Sequence, residues 1–571
     1  MAFKTAFSVT ISAAMIHVAH SVDNCSALFS ESKILIPNLK PYVARGYEAG
    51  TTFSTADASP AYNTPVPDLI EFCRFGAEYN TSTTSKFRFE IWMPSAEKWN
   101  GGFNTTKPSF YINNEQICPS LGRFAFVGNG GDAGGVNYPD MGIPLSKYGF
   151  AVASTDGGHN GTTADGTFAM GNPESQIDFG YRAVHMSTEF SKMILEQYYG
   201  KAASYNYWIG CSSGGKQGWL TRIGAWTSLA ANLILFLLQG MKSIQKYPQD
   251  FDGAITGAPA QWWPHLNGFT VHVNLLNANA TTPGAVIPTS FYPLLFKEVT
   301  LQCDALDGVE DGVITNPGAC KPDLGNMACG ANKLSSFVDS STCLSEPQMV
   351  TLAAVQSNWT SIEGELLFPT FEPGSQWGWN STITGEPYGP APSESVSTRL
   401  MYSHSTLSTN ETQLQAMLKV ADSTNPGDIE AMNPNLKPFF ERGGKLMQFH
   451  GWADQLIASR SSLVYYEKVR SFFNYTDLSD KYNLFMVPGM GHCSGGPGAN
   501  AFGGPSQRTL SLGGSGQSLK FDAAHDMILA TMDWVENGRT PKSIITTRWK
   551  NSNVTDGPEF SRLLCPYPQV R

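Results

Sequence analysis

The sequence has few charged residues and no run of basic ones. Of its 571 residues, 15% are Asp, Glu, Lys or Arg, and the formal net charge is −10. A chain with this excess of negative charge and no Lys/Arg-rich segment does not attract polyphosphates or nucleic acids. Nucleic-acid partners are therefore excluded.

Long hydrophobic runs and internal repeats are also missing. A helix needs about 20 apolar residues to cross a bilayer, and the run LAANLILFLL at 229–238 is too short. We therefore expect a mature protein that is soluble and has no membrane partner. The chain is long enough for two structural units.

The N-terminus has the features of a secretory signal. Lys4 precedes a modestly apolar stretch that ends in small residues, with cleavage expected after Ser21. The alternative is a buried first strand, because His17 and His20 weaken the apolar region.

Two further features favour export to an oxidising compartment. The chain has ten cysteines, which suit an environment where disulfides persist. Asn-x-Ser/Thr glycosylation sequons recur along the chain. They include Asn24, Asn80, Asn160, Asn279, Asn358, Asn380, Asn410, Asn474 and Asn553.

The chain alternates strand-like and helical segments. Apolar runs that end in glycines, at 124–131 and 148–161, precede a helical stretch at 181–200 and a strand at 205–210. This rhythm predicts a parallel α/β sheet.

The rhythm is lost between 261 and 434, where Pro, Trp, Ser and Asn are frequent, and it returns at 445–454. The predicted units are therefore a signal (1–21), a first α/β part (22–260), an inserted domain (261–434) and a second α/β part (435–571).

The stretch Gly210–Gly214 matches G-x-S-x-G, the sharp strand-to-helix turn that exposes a nucleophilic serine. Asp454 and His492 each follow a later predicted strand, and the order Ser212, Asp454, His492 is that of α/β-hydrolases. A serine needs an imidazole to take its proton and a carboxylate to orient that imidazole. The alternative is an ordinary glycine-rich turn.

An oxyanion hole requires two backbone N–H donors beside the serine. The candidates are Ser213 and Gly131, the latter in the glycine-rich loop at 128–135. The alternative for this loop is a tight turn without a catalytic role.

Cysteines flank two of the candidate residues. Cys211 precedes Ser212, and Cys493 follows His492. A disulfide between them would hold the serine turn and the histidine loop in register.

A third group of polar residues occurs in CDALDGVEDGVI, at 303–314. Oxygen ligands in a turning loop suit calcium, although the spacing is not that of an EF-hand. The candidate ligands are three carboxylates and two backbone carbonyls: Asp304, Asp307, Asp311, Val309 and Val313. Cys303 and Cys320 bracket the loop, and the alternative is a solvated acidic turn.

Together these motifs resemble the tannase and feruloyl esterase family of secreted fungal enzymes. The characteristic motif of the family is Cys-Ser, then Asp, then His-Cys, and this sequence matches it at 211–212, 454 and 492–493. Two further stretches, DFDGAITGAPA and GNGGDAGGVNYPDMG, also look like family motifs. The resemblance implies an α/β-hydrolase domain with an inserted lid that carries structural calcium and most of the pocket. It also implies hydrolysis of small phenolic esters or feruloylated polysaccharide.

The sequence departs from the family pattern in three places. Two blocks, 102–122 and 219–239, interrupt continuous family motifs, and we interpret both as translated introns. The family usually continues past LCPYP to a further cysteine, whereas this sequence ends at Arg571.

Those departures leave Cys118 and Cys565 without expected partners. For the other eight cysteines the resemblance implies four disulfides. They are Cys25–Cys73, Cys211–Cys493, Cys303–Cys320 and Cys329–Cys343.

The leading functional hypothesis is an active feruloyl esterase. Three alternatives stay open: a tannase acting on galloyl esters, an inert secreted glycoprotein whose site the second block disrupts, and a carbohydrate-binding module.

Overall fold

The computed structural model describes residues 22–99, 111–112, 115–116, 122–163, 166–215, 240–278, 283–384, 410–507 and 519–569. The predicted signal, Cys118 and block 219–239 lie outside the described residues. So does most of block 102–122, of which two short strands and residue 122 are described.

The strands in the described residues are β1 Lys40–Tyr47, β2 Thr51–Phe53, β3 Val66–Leu69, β4 Phe72–Asn80, β5 Lys86–Pro94, β6 Tyr111–Ile112, β7 Glu115–Gln116, β8 Arg123–Val127, β9 Ala151–Thr155, β10 Tyr205–Cys211, β11 Gly253–Gly257, β12 Trp359–Thr360, β13 Leu366–Phe368, β14 Lys445–Gly451, β15 Tyr482–Val487, β16 Ile544–Trp549 and β17 Pro558–Leu564. Nine of them form one sheet, in the order β1-β4-β5-β9-β8-β10-β11-β14-β15. The strands from β9 to β15 in this order run parallel, while β1, β4, β5 and β9 pair antiparallel.

Helices cover the sheet and fill the segment between β11 and β14. The α-helices are α1 Leu28–Leu35, α2 Ala96–Trp99, α3 Tyr138–Tyr148, α4 Pro173–Ile177, α5 Ala183–Tyr199, α6 Gly240–Lys246, α7 Trp263–Asn277, α8 Tyr292–Cys303, α9 Glu346–Val355, α10 Glu411–Thr424, α11 Lys437–Glu441, α12 Arg460–Phe472 and α13 Met527–Asn537. Short 3₁₀ turns include Ser212–Gly215 and Asp304–Asp307. Helix α5 ends where the sequence predicts, because Gly200 takes the left-handed conformation that stops a helix (φ 70°).

The central strands are apolar on both faces because both faces of the sheet are covered. In β8, Phe124 and Phe126 join one hydrophobic core, while Ala125 and Val127 join the other. Successive side chains of a strand point to opposite faces. The chain therefore has a core on each side of the sheet, which is the predicted α/β fold class.

The segment between β11 and β14 contributes no strand to the nine-stranded sheet within the described residues. Its strands β12 and β13 form a separate antiparallel pair. The division of the chain at 261 and 434 stays a prediction.

The described cysteines form the four expected disulfides, Cys25–Cys73, Cys211–Cys493, Cys303–Cys320 and Cys329–Cys343. Cys565 is a free thiol. In the part of the chain that the structure describes, the helices are all too short or too polar to cross a membrane.

Candidate active site

Ser212 lies at the carboxyl end of β10, in a turn that only small neighbours permit. Its φ is 60°, an unfavourable value for a residue with a side chain. A Cβ on Gly210 would lie 2.4 Å from the Gly214 carbonyl oxygen, so the turn requires glycine there. The indole of Trp208 donates to the same carbonyl at 2.9 Å and holds the turn closed. This is the physical reason for the G-x-S-x-G spacing.

Asp454 and His492 are paired at the ends of β14 and β15. His492 Nδ1 lies 2.8 Å from Asp454 Oδ2. The other carboxylate oxygen accepts the N–H groups of Leu456 and Ile457, each at 2.8 Å. With Nδ1 held by the carboxylate, Nε2 of His492 is left to act on a substrate or a nucleophile.

The carboxylate of Asp454 stays ionised despite its burial. Burial alone would raise its pKa, but the charge of His492 and hydrogen bonds from His450 and His492 outweigh it, so that the pKa of Asp454 lies well below its usual range. An ionised aspartate is what an orienting role beside an imidazole requires.

Ser212 and His492 line the same cavity of about 440 Å³. The Cys211–Cys493 disulfide joins their chain neighbours, with Cα atoms 6.1 Å apart. Within the described residues no hydrogen bond joins Ser212 Oγ to His492, and such bonds are often long in an enzyme without substrate. The shared cavity and the disulfide thus bring the two predicted residues together.

The predicted oxyanion donors line this cavity as well. On either side of Gly131 the N–H groups are engaged: Gly130 donates to the Tyr62 hydroxyl at 2.7 Å, and Asp132 donates to the Thr163 carbonyl at 2.8 Å. Within the described residues the N–H of Gly131 donates to no acceptor of the chain. A Cβ on Gly131 would lie 2.5 Å from the Thr163 oxygen, so the loop requires glycine.

One wall of the cavity is a single face of α7. Trp263, Leu266, Asn267 and Thr270 recur at helical spacing and line the cavity. The two polar side chains of this face donate to backbone carbonyls of the helix itself. The cavity lining as a whole is mostly apolar, which suits an aromatic group. We did not identify this face of α7 from the sequence, because its residues lie in the segment that lost the α/β rhythm.

The acidic loop at 303–314 folds around Asp304. This carboxylate accepts the N–H groups of Asp311, Gly312 and Val313 at 3.3, 2.8 and 3.1 Å. Asp307 accepts the N–H of Val309 at 2.9 Å, and Arg562 donates to Asp311. The Cys303–Cys320 disulfide closes this loop. Its oxygen ligands are of the type that a hard cation such as calcium prefers.

In this structure the loop's three carboxylates do not converge closely. Among the described residues, the group with three ligand atoms within 4.8 Å of one another is His185, Glu189 and Asp250, which lies elsewhere.

Comparison with known proteins places this site in a family. The family model "Tannase and feruloyl esterase" matches residues 82–227 and 238–571. The chain belongs to the tannase and feruloyl esterase family. The family match omits 228–237, which falls inside the second block identified from the sequence. Family membership makes the protein a carboxylic ester hydrolase.

Relatives and solved structures agree with the family. The chain is 30% identical over 546 residues to a probable feruloyl esterase B-1 of Aspergillus oryzae, covering 94% of this chain and 88% of that protein. The crystal structure of feruloyl esterase B from Aspergillus oryzae superposes with a TM-score of 0.79 at 28% identity, covering 96% of each chain. A tannin acyl hydrolase from Aspergillus niger shares the fold, with a TM-score of 0.65 at 20% identity, covering 94% of this chain and 90% of that one. The fold is that of an α/β-hydrolase, as predicted.

Proposed function

We propose that the chain is a secreted serine esterase that hydrolyses esters of phenolic acids, with Ser212, Asp454 and His492 as its triad. The observation that carries this proposal is the shared cavity. There the strained serine turn meets the imidazole of the His492–Asp454 pair, and a disulfide holds the two loops together.

The reaction follows from these positions. Ser212 Oγ attacks the ester carbonyl carbon while His492 Nε2 takes its proton, and Asp454 stabilises the imidazolium. The N–H groups of Ser213 and Gly131 bind the oxyanion. The alcohol then leaves with the proton from His492, and water, activated by the same imidazole, hydrolyses the acyl-enzyme.

The cavity favours a feruloyl-type substrate. The cavity lining is mostly apolar, and Asn267 and Thr270 of α7 already donate to carbonyls of their own helix. It therefore suits a methoxylated phenyl ring better than a ring with three hydroxyl groups, which needs a hydrogen-bond partner for each. The relative that is 30% identical is named a feruloyl esterase, which agrees with this preference. Feruloylated cell-wall polysaccharide would be the natural source of such esters.

Surface exposure supports secretion and glycosylation. Every sequon asparagine that the structure describes is exposed. These are Asn24, Asn80, Asn160, Asn358, Asn380, Asn410, Asn474 and Asn553. Glycosylation requires an accessible asparagine, and we propose an extracellular glycoprotein on this ground.

We further propose that the acidic loop holds a structural calcium ion. Its ligands would be the carboxylates of Asp304, Asp307 and Asp311 with the carbonyls of Val309 and Val313. When bound, the ion would neutralise the clustered carboxylates and stabilise the loop. The described residues of this loop do not line the cavity that contains Ser212 and His492, so the ion would have no part in the ester chemistry.

The test compares methyl ferulate with methyl gallate as substrates for the wild type and for Ser212→Ala. We expect a higher kcat/KM on the ferulate, and no hydrolysis of either ester by Ser212→Ala. The control is Ser471→Ala, an exposed serine that does not line the cavity. A higher kcat/KM on the gallate would identify a tannase, and a wild type inactive on both would identify an inert glycoprotein.

A further inference from the structure

Asp454 is contacted by a second histidine. His450, in β14, is completely buried, and its Nε2 lies 3.1 Å from Asp454 Oδ2 and 3.1 Å from the Ile457 carbonyl oxygen. Both partners are acceptors, so Nε2 carries a proton and donates it. His450 thus binds the same carboxylate oxygen that binds His492.

The other ring nitrogen of His450 is held by a buried chain of hydrogen bonds. Its Nδ1 lies 2.8 Å from Ser462 Oγ, in α12. Ser462 accepts from Gln448 Nε2 at 2.8 Å, and Gln448 Oε1 accepts from the Tyr482 hydroxyl at 2.5 Å. Ser462 accepts from Gln448 and has its own proton to donate to His450 Nδ1, which is the arrangement that an Nε2-protonated imidazole requires.

The chain of hydrogen bonds is shielded from water throughout. His450, Gln448 and Ser462 are 0% exposed, and Tyr482 and Asp454 are 1% exposed. Burial raises the pKa of Tyr482 well above its usual value, so its hydroxyl stays a donor. In such surroundings the bonds polarise one another, and a missing partner leaves a costly unsatisfied group.

We propose that His450 is a positioning residue for the triad, which fixes Asp454 Oδ2 at the place where it binds His492. The proposal rests on the function proposed above. Without His450 the carboxylate keeps three of its four donors, and Oδ2 is bound by His492 alone. The position of Oδ2 is then less firmly fixed, and more negative charge stays on this oxygen.

Few titratable groups face His450. Asp454 contacts it directly, and Tyr482 reaches it through Gln448 and Ser462. Among the described residues no other charged side chain forms a hydrogen bond or ion pair with it. A change in pH profile on replacing His450 would therefore report on Asp454 and His492.

The decisive variants are His450→Phe and His450→Gln, assayed on methyl ferulate across pH. For His450→Phe we expect kcat/KM to fall on the order of 10-fold to 100-fold, as the loss of one hydrogen bond to a charged group predicts. We also expect KM to stay unchanged and the acid limb of the kcat/KM profile to move to higher pH, because the freed Oδ2 binds protonated His492 more strongly. His450→Gln, which keeps an N–H donor, should recover part of both effects.

His185→Gln is the matched control. His185 is 3% exposed and makes a similar bond to Asp250 at 2.8 Å, but it does not line the cavity. The loss of the imidazole at this position should lower the melting temperature without moving the acid limb of the kcat/KM profile. Equal shifts of the acid limb in both variants would overturn the proposal.

A wild-type profile in folded His450→Phe would also overturn it, provided that Ser212→Ala is inactive. An active Ser212→Ala would instead overturn the proposed function. If His450→Phe does not fold, Ser462→Ala decides, since it removes the donor to His450 Nδ1. A shifted acid limb in that variant supports the proposal, and an unshifted one contradicts it.

Discussion

At the residue scale, the serine turn shows how sequence spacing becomes geometry. Gly210 is required because a Cβ there would meet the Gly214 carbonyl oxygen, Gly214 packs against the backbone of Gly128, and Ser212 between them takes φ 60°. The sequence motif contains all three residues of the turn, so this part of the site was predictable. The contact between His450 and Asp454 was not predictable, although His450 precedes Asp454 by only four residues. Its role depends on Ser462 and on other buried partners that come from distant parts of the chain.

A buried carboxyl group behind the glycine-rich loop gives a pH prediction. Burial raises the pKa of Asp156 to about 7, although its Oδ1 accepts the N–H groups of Arg88 and Gly158. The ordinary pKa in an unfolded chain is about 3.9. The folded state therefore binds the proton more tightly, and stability falls as pH rises from about 4 to about 7.

Asp156→Asn removes this titration and keeps an oxygen acceptor for both N–H groups. We expect the variant to melt above the wild type at pH 8 and to lose that advantage at pH 4, measured by thermal unfolding. A difference in melting temperature that does not vary with pH would contradict the argument.

At the element scale, the Cys211–Cys493 disulfide connects the turn after β10 to the loop after β15. Removing a disulfide of this kind costs about 3–5 kcal/mol. Here it should also cost activity, because it holds Ser212 beside His492. We expect Cys211→Ala/Cys493→Ala to lose most of its activity per folded molecule at 25 °C.

The control for that variant is Cys329→Ala/Cys343→Ala. It removes a disulfide whose cysteines are 14 residues apart in the sequence and do not line the cavity. It should lower the melting temperature but keep the activity of the folded fraction. Equal losses of activity in the two double variants would show that the first disulfide has only a stabilising role.

The helix after the serine turn is the element where the sequence departs from its family. A Cβ on Gly240, the first residue of α6, would lie 2.9 Å from the Gly214 carbonyl oxygen. The description of the chain stops at residue 215 and resumes at residue 240, and these two described ends are neighbours in space. Such closeness is expected if the chain between them contains an insertion.

We expect a variant without 219–239, with Gly218 joined to Gly240, to fold in higher yield and to hydrolyse methyl ferulate at least as fast as the full chain. Tryptic peptides of the natural secreted protein give an independent answer. A peptide that spans LTR and IGAWTSLAANLILFLLQGMK would refute the intron interpretation, as would a deletion variant that fails to fold.

The acidic loop gives a prediction about metal. If calcium stabilises it, chelation should lower the melting temperature before it lowers turnover at moderate temperature. Asp307→Ala should abolish that response, whereas Glu310→Ala should keep it, since Glu310 is an exposed acid of the same loop outside the proposed ligand set. A wild type whose unfolding is insensitive to chelator would contradict the calcium proposal.

At the scale of the whole molecule, the alternation of elements was predictable and their arrangement was not. Strands that are buried along their whole length, such as β8 and β9, are recognisable as mainly apolar runs because both faces of the sheet are covered. Their order is not, since β9 lies between β5 and β8 although it follows β8 in the chain. Strand order is set by packing between distant segments, which no local pattern encodes. The cavity wall from α7 was missed for the same reason.

The central claim is that Ser212 is the nucleophile of an esterase. Phenylmethylsulfonyl fluoride reacts with an activated serine, and peptide mass spectrometry locates the label. The account predicts a single labelled peptide with the label on Ser212, together with loss of methyl ferulate hydrolysis in proportion to labelling. Labelling of another residue, or full hydrolysis by a protein labelled on Ser212, would contradict it.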